Sequence, residues 1–254
     1  ILILVYMKNS CIFAEIKTNT MIENRKYEDF SINEKFVFLN DLTTMVVKDV
    51  TPSAVISGAG GLGKSHSVIE CIKSNELDEK DYVFIKGYST ARGLYNTLYD
   101  NNGKLIIFDD CDSVLEDKIA INILKSALDS YDKRTISWMS KMTKADAYPN
   151  QFDFTGRIIF ISNKSKDKID GAVKTRSLIV DLTMTPADKI ERMRFIVANI
   201  LPEYPIDIKE KALDFLDTVK DDVSINLRTL IMVSKMIKSF PDTWQDLATY
   251  MVRE

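Results

Sequence analysis

From residue 54 onward the chain alternates two hydrophobic patterns. Short unbroken apolar runs, rich in β-branched residues, occur as AVIS at 54–57, YVFIK at 82–86, KLIIFDD at 104–110, RIIFIS at 157–162 and SLIVDL at 177–182. Runs of this length without polar alternation suit strands buried on both faces, as in a parallel sheet covered by helical crossovers. Amphipathic stretches lie between them. The spacing predicts helices over 65–74 and 117–129, the latter with Ile119, Ile123, Leu124 and Leu128 recurring on one side. A helix is also predicted over 30–50, stopped by Pro52. After Leu182 the strand pattern ends, and Thr185-Pro186 reads as a helix start with Thr as cap and Pro in the first turn. Helices are expected over 186–200, 207–220, 225–239 and 242–253, punctuated by Pro202, Pro205 and Pro241. The expected organisation is an N-terminal extension with a first helix (1–50), an α/β parallel-sheet core (51–184) and an all-helical domain (185–254). The opening ILILVYM is far shorter than the ~20 residues that cross a bilayer. It reads as a short strand, with Met7 as an alternative natural start.

Composition narrows the chemistry. With 254 residues and 45% apolar side chains the chain can bury a sizeable core, and a net charge of −3 argues against a uniformly basic coat. Cys11, Cys71 and Cys111 are odd in number and lack metal-ligand spacing, so they read as thiols in a reducing compartment. His66 is the one histidine. A zinc site or a hydrolase triad would have to rest on it, which counts against both classes.

Residues 58–65, GAGGLGKS, complete the pattern G-x-x-x-x-G-K-[ST] between an apolar run and a helical stretch. Glycines at 58, 60, 61 and 63 let backbone N–H groups turn inward around phosphate, and the following helix points its positive end at the same anion. The expected nucleotide contacts run from Gly58, Gly60, Gly61, Leu62 and Gly63 to Lys64, Ser65 and His66. Lys64 reaches the β- and γ-phosphates of ATP, and the Ser65 hydroxyl ligates Mg²⁺. The run LIIFDD ends in two carboxylates at the sheet edge where ligands bind. Asp109 is the expected second Mg²⁺ ligand, and Asp110 the group that polarises the attacking water. Asp112 reads as a helix cap.

On these motifs the chain resembles the AAA+ ATPases over roughly residues 50–240. The resemblance implies a P-loop NTPase core of AAA+ type with a C-terminal helical lid. It also implies three further site residues: Asn163, ending RIIFISN, as sensor 1; Arg176 in AVKTRSLIV as an arginine finger acting on a neighbouring subunit's nucleotide; and Arg228 in SINLRTLI as sensor 2. The chain has Asp109-Asp110 where many of these proteins have Asp-Glu, so the shorter Asp110 implies slow hydrolysis. Self-association into a ring, with a hexamer as the expected size, is implied as well.

Two segments bear on what such a motor acts on. Lys86-Gly87-Tyr88-Ser89 follows the second strand, where the family faces a central pore, and Tyr88 can grip a polypeptide or stack on a base. RTISWMS at 134–140 and QFDF at 151–154 predict a hairpin before the sensor-1 strand, with Lys141, Lys144 and Tyr148 between them. Its placement is similar to the hairpin by which viral superfamily-three helicases and helicase loaders meet DNA, and the order of motifs is similar to AAA ATPases of large bacteriophages. The resulting expectation is an ATP-hydrolysing motor that remodels or translocates on DNA in a phage or mobile-element setting. A protein-remodelling chaperone and a slow clamp-loader-like switch stand as alternatives. The cytoplasm, that of the host if the source is viral, is the expected compartment, with no membrane partner.

Overall fold

The computed structural model describes residues 25–139 and 148–253. Ile1–Met7 and Cys11, with the strand expected at the start, lie outside the described residues. The chain divides into two compact units, Ile1–Ser31 and Ile32–Glu254. In the first, one 3-10 turn is described, Tyr27–Asp29. All that follows concerns the second.

That unit begins with α1 (Ile32–Val47), β1 (Ser53–Ser57), α2 (Lys64–Ser74), β2 (Tyr82–Lys86), α3 (Ala91–Asp100), β3 (Leu105–Asp109) and α4 (Lys118–Ala127). A short hairpin of β4 (Thr135–Ser137) and β5 (Gln151–Asp153) precedes β6 (Arg157–Ile161), α5 (Gly171–Lys174) and β7 (Leu178–Asp181). The helices α6 (Pro186–Ile196), α7 (Ile206–Val219), α8 (Leu227–Ser239) and α9 (Trp244–Val252) complete it. Five strands form one sheet in the order β2-β3-β6-β1-β7, and every pairing in it is parallel. The fold is thus α/β, a parallel-sheet core followed by a helical region.

The unbroken apolar runs have a direct physical reason. Val55, Ile106, Phe108, Ile158 and Phe160 face a layer with α3 and α4, where the rings of Phe108 and Phe160 stack at 5.5 Å. Their neighbours Ala54, Ile56, Leu105, Ile107, Ile159 and Ile161 face the opposite layer with α1 and α2. β1 and β3 are buried at every position, whereas β2 and β7 are half-buried because they form the sheet edges.

Helix α3 was not legible in the sequence. Gly93, Tyr95, Asn96 and Thr97 give it little intrinsic helix propensity. Its stability comes from packing of Leu94, Tyr95 and Leu98 and from the Thr90 hydroxyl, which accepts from the Gly93 N–H at 3.0 Å. Asp112 is a second correction. The cap of α4 is Asp117, whose carboxylate accepts from Ile119 and Ala120, while Asp112 accepts from the Ser162 hydroxyl at 2.5 Å.

The helical region begins as the sequence suggests. Thr185 and Asp188 form a reciprocal capping box around Pro186. α6–α9 share their own apolar core around Met193, Leu213, Leu216, Leu230, Val233 and Trp244. Against the sheet-bearing part, the Arg192 guanidinium lies 3.7 Å over the Phe36 ring and donates to Asn33. Burial pushes the Arg192 pKa down to about 10. Among the described residues no helix is long and apolar enough to cross a membrane.

One buried cation stabilises the α6–α7 connection. Lys209 is 3% exposed, and its ammonium donates to the carbonyls of Ala198, Ile200 and Leu201 at 3.3, 2.9 and 3.5 Å. The Leu201 carbonyl also accepts from the Tyr204 N–H at 2.9 Å, whereas the Ala198 and Ile200 carbonyls, at the end of a helical turn, rely on the ammonium. Lys209→Met should leave the Ala198 and Ile200 carbonyls unsatisfied and destabilise the protein by about 1–3 kcal/mol. A fall in the urea midpoint at unchanged slope would be the expected reading, and an unchanged midpoint would mean water replaces the ammonium.

Candidate nucleotide site

The ends of β1, β3 and β6 meet at one edge of the sheet, and a chemically dense loop system fills that edge. Residues 58–63 leave β1 and curl back before α2 begins at Lys64. Gly58 explains why glycine is required there. Its φ is +131°, its N–H donates to the Lys164 carbonyl, and a Cβ would stand 2.7 Å from the Leu182 carbonyl carbon. Gly63 precedes the helix in left-handed geometry, and no side chain caps the first turn of α2. The first N–H groups of that helix, including those of Ser65 and His66, therefore face the loop without an internal acceptor. Leu62 is buried beneath the loop and His66 is exposed.

Lys64 is 5% exposed, unusual for an ammonium without a direct ion pair. Its Nζ donates to the carbonyls of Gly58 at 2.6 Å and Ala59 at 2.8 Å, and to Asn163 Oδ1 at 3.0 Å. Burial pushes its pKa below the ordinary lysine value, and the Asp110, Asp109 and Asp112 carboxylates oppose that shift. Asn163 bridges the two halves of the site, because its Nδ2 donates to Asp110 Oδ1 at 2.6 Å.

The two carboxylates differ in kind. Asp109 is buried at the end of β3, where Ser65 Oγ donates to its Oδ1 at 2.7 Å. Asp110 is exposed and held at φ +57°, with its N–H donating to the Ile161 carbonyl. An aspartate tolerates that left-handed geometry at modest cost, and such outliers gather at functional sites. Beneath them burial foremost, reinforced by Asp109 and Asp110, pushes the Cys111 thiol up to about 11. Cys71 and Cys111 are both free and buried, so neither presents a reactive thiolate.

A hydroxyl and a carboxylate 2.7 Å apart beside a phosphate loop fit Mg²⁺, which is held by one or two carboxylates together with substrate phosphates and water. Among the described residues no group of three or more His, Cys, Asp or Glu side chains could hold a metal by itself.

Two of the sequence-predicted residues lie apart from this cluster. Arg176 sits at the start of β7, where the Ser53 hydroxyl donates to its carbonyl. The phosphate loop leaves β1 at Ser57, four residues and roughly 13 Å along the strand from Ser53. The Arg176 guanidinium donates to Ala172, and its Nε is buried without a partner. Arg228 lies in the first turn of α8, exposed, lining an open groove of about 470 Å³ with Met232, Lys235 and Phe240. Tyr88 is 81% exposed on the loop after β2. The β4–β5 hairpin is present, whereas Lys141 and Lys144 lie outside the described residues.

Three contacts at the site go beyond the sequence motifs. The Leu227 N–H donates to the Gly61 carbonyl at 2.9 Å, and a Cβ on Gly61, whose φ is +75°, would meet the Asn226 side chain at 3.1 Å. The start of α8 thus rests on the phosphate loop, a long-range contact with no local signature. Lys86 Nζ lies 3.1 Å from Asp109 Oδ2. That pair was findable: YVFIK and LIIFD are equal in length, and pairing them in parallel sets Lys86 beside Asp109. The third is a pair of bonds between the Ser113 hydroxyl and the Ser89 backbone, which anchors the Tyr88 loop.

Gly58→Ala should be costly, because both its φ and the Leu182 backbone oppose a side chain, and an energy of about 1–3 kcal/mol is expected. Gly60→Ala should be milder, since its nearest obstacle is the Asn163 side chain at 3.3 Å. Thermal unfolding of the two variants tests this ordering, and equal midpoints would show that the loop relaxes freely.

No family model matches the sequence. An uncharacterised 36.7 kDa protein of Enterobacteria phage T4, from the nrdC-mobD intergenic region, is 27% identical over 246 residues, covering 88% of this chain and 75% of that protein. Among solved structures, the RuvB Holliday junction branch migration motor of Thermotoga maritima is similar with a TM-score of 0.47 and 13% identity. The match covers 84% of this chain and 62% of that one, so the chain spans about three-fifths of that RuvB structure. A point mutant of the same RuvB gives a TM-score of 0.47 at 14% identity, covering 86% of this chain and 73% of that one.

Proposed function

We propose that the chain is a Mg²⁺-dependent ATPase subunit of AAA+ type. The observation that carries this reading is the convergence of Lys64, Ser65, Asp109 and Asn163 on one loop at the carboxyl edge of a parallel sheet. Lys64 would exchange two loop carbonyls for the β- and γ-phosphates. Ser65 and Asp109 would hold Mg²⁺, which supplies charge neutralisation to the phosphates when bound. Asp110 accepts a proton from the water that attacks the γ-phosphorus, ADP departs as the leaving group, and Asn163 orients that water through the bond it already makes to Asp110. Arg228, one residue beyond the Leu227 N–H that rests on the loop, would have to turn from its groove toward the phosphates to act as sensor 2. Lys64→Ala should abolish ATP binding, and Asp110→Asn should retain binding while hydrolysis falls at least ~100-fold. Undiminished turnover in Lys64→Ala would defeat the reading.

Assembly into a ring, with a hexamer as the expected size, is supported by the distance of Arg176 from its own phosphate loop. An arginine at the far strand end is out of reach of its own nucleotide, and in a ring it would neutralise charge on the γ-phosphoryl group of a neighbour's. Arg176→Ala should bind ATP nearly normally and lose turnover. Mixing it with Asp110→Asn should restore some activity, because one interface then receives both intact residues. Absence of rescue from a protein monomeric at every ATP concentration would count against the ring.

The substrate proposed is DNA, on the strength of the β4–β5 hairpin, and the setting a phage or mobile element, on that of the T4 relative. Lys141 and Lys144 would contact phosphates, so replacing both with alanine should flatten the log–log salt dependence of single-stranded DNA binding by about one to two units. Polypeptide is the second reading, favoured by the exposure of Tyr88. Coincident salt slopes together with loss of protein-stimulated ATPase in Tyr88→Ala would select it.

A further inference from the structure

Lys86 is a charge at the nucleotide site that the mechanism above leaves without a task. It closes β2 in register with Asp109, and its ammonium lies 3.1 Å from Asp109 Oδ2. The other oxygen of the same carboxylate accepts from Ser65. The two partners are unequal in mobility: the Asp109 side chain is 4% exposed and that of Lys86 is 63% exposed. The carboxylate is fixed in the sheet, while the cation reaches it from the solvent side. Directly after Lys86 the chain turns at Gly87, with φ +90° and nothing within 4 Å of a Cβ position, so the lysine has open space beside it.

A buried carboxylate without a counter-charge is costly, and Lys86 supplies that charge here. A divalent ion shared by Ser65 and Asp109 would stand about 2 Å from the carboxylate oxygens. At that distance it would repel an ammonium in contact with the same group. We propose that Lys86 is a built-in counter-ion that holds Asp109 in the absence of metal and yields to Mg²⁺ when nucleotide enters. Lys86 thereby sets how much Mg²⁺ the protein needs to retain nucleotide. This rests on the assignment of Asp109 and Ser65 to the metal site. Because the lysine is largely exposed, its competition is worth roughly a two- to fivefold change in an equilibrium rather than orders of magnitude.

The test is a Mg²⁺ titration of fluorescent ADP-analogue binding, comparing wild type with Lys86→Met and Lys86→Arg, alongside thermal unfolding without nucleotide in chelator. Lys86→Met should lower the half-saturating Mg²⁺ concentration about two- to fivefold. It should also lower the unfolding midpoint in chelator, and Lys86→Arg should restore both. An unchanged half-saturation in Lys86→Met, with normal binding in wild type, would overturn this proposal alone. An increased one would overturn it too, by making Lys86 a ligand of the phosphates. Failure of wild type to bind the analogue at any Mg²⁺ concentration would sink the nucleotide site itself and this proposal with it.

Discussion

A lysine ammonium buried to 5% exposure, held by two loop carbonyls and one amide oxygen, governs the rest of the site. Taking such a charge out of water is expensive unless neighbouring groups compensate. The carbonyls compensate only partly, as the depressed pKa of Lys64 records, and Asp110, Asp109 and Asp112 oppose the shift from further off. The loop that supplies the carbonyls is fixed by the sheet. Gly58 donates to Lys164 after β6 and abuts Leu182 after β7, and Ser65 reaches Asp109 at the end of β3. Register within the five strands therefore decides where the charge sits. A ligand that brings anionic oxygens to this loop would relieve the burial cost, which is the physical reason to expect a polyphosphate.

The same topology separates two arginines in space. Strand direction sets the phosphate loop at one end of β1 and Arg176 near the other, beside Ser53. Arg228 instead follows Leu227, whose N–H already touches Gly61. The helical region is consequently linked to the phosphate loop by backbone contact and to α1 by the Arg192 stack on Phe36. A change in the loop would be transmitted to α8 without any intermediary side chain.

Much of this was legible from residue pattern alone, and the failures have identifiable causes. Apolar runs marked all five strands of the main sheet because each must satisfy two faces, a demand that leaves few polar positions. The loop 58–65 was legible because its glycines are imposed by close backbone approach. Helix α3 is hidden in the sequence because its residues are poor helix formers, and tertiary packing overrides their preference. Asp112 resembles a cap because it is a carboxylate before a helix, and only the fold brings Ser162 beside it. The Leu227–Gly61 bond joins segments far apart in sequence and involves backbone groups, which carry no residue-type signal at all. Lys86 was accessible in principle through strand register, yet register follows only once the sheet order is known.

The most direct measurement is a crystal structure of the protein with Mg²⁺ and a non-hydrolysable ATP analogue. Lys64 Nζ should have left the carbonyls of Gly58 and Ala59 for the β- and γ-phosphate oxygens. Ser65 Oγ and Asp109 should share one metal ion, with Asp110 and Asn163 facing the γ-phosphate. A triphosphate bound elsewhere, or one bound at the loop with Lys64 still on its carbonyls and no metal at Asp109, would contradict the assignment of this edge as the nucleotide site.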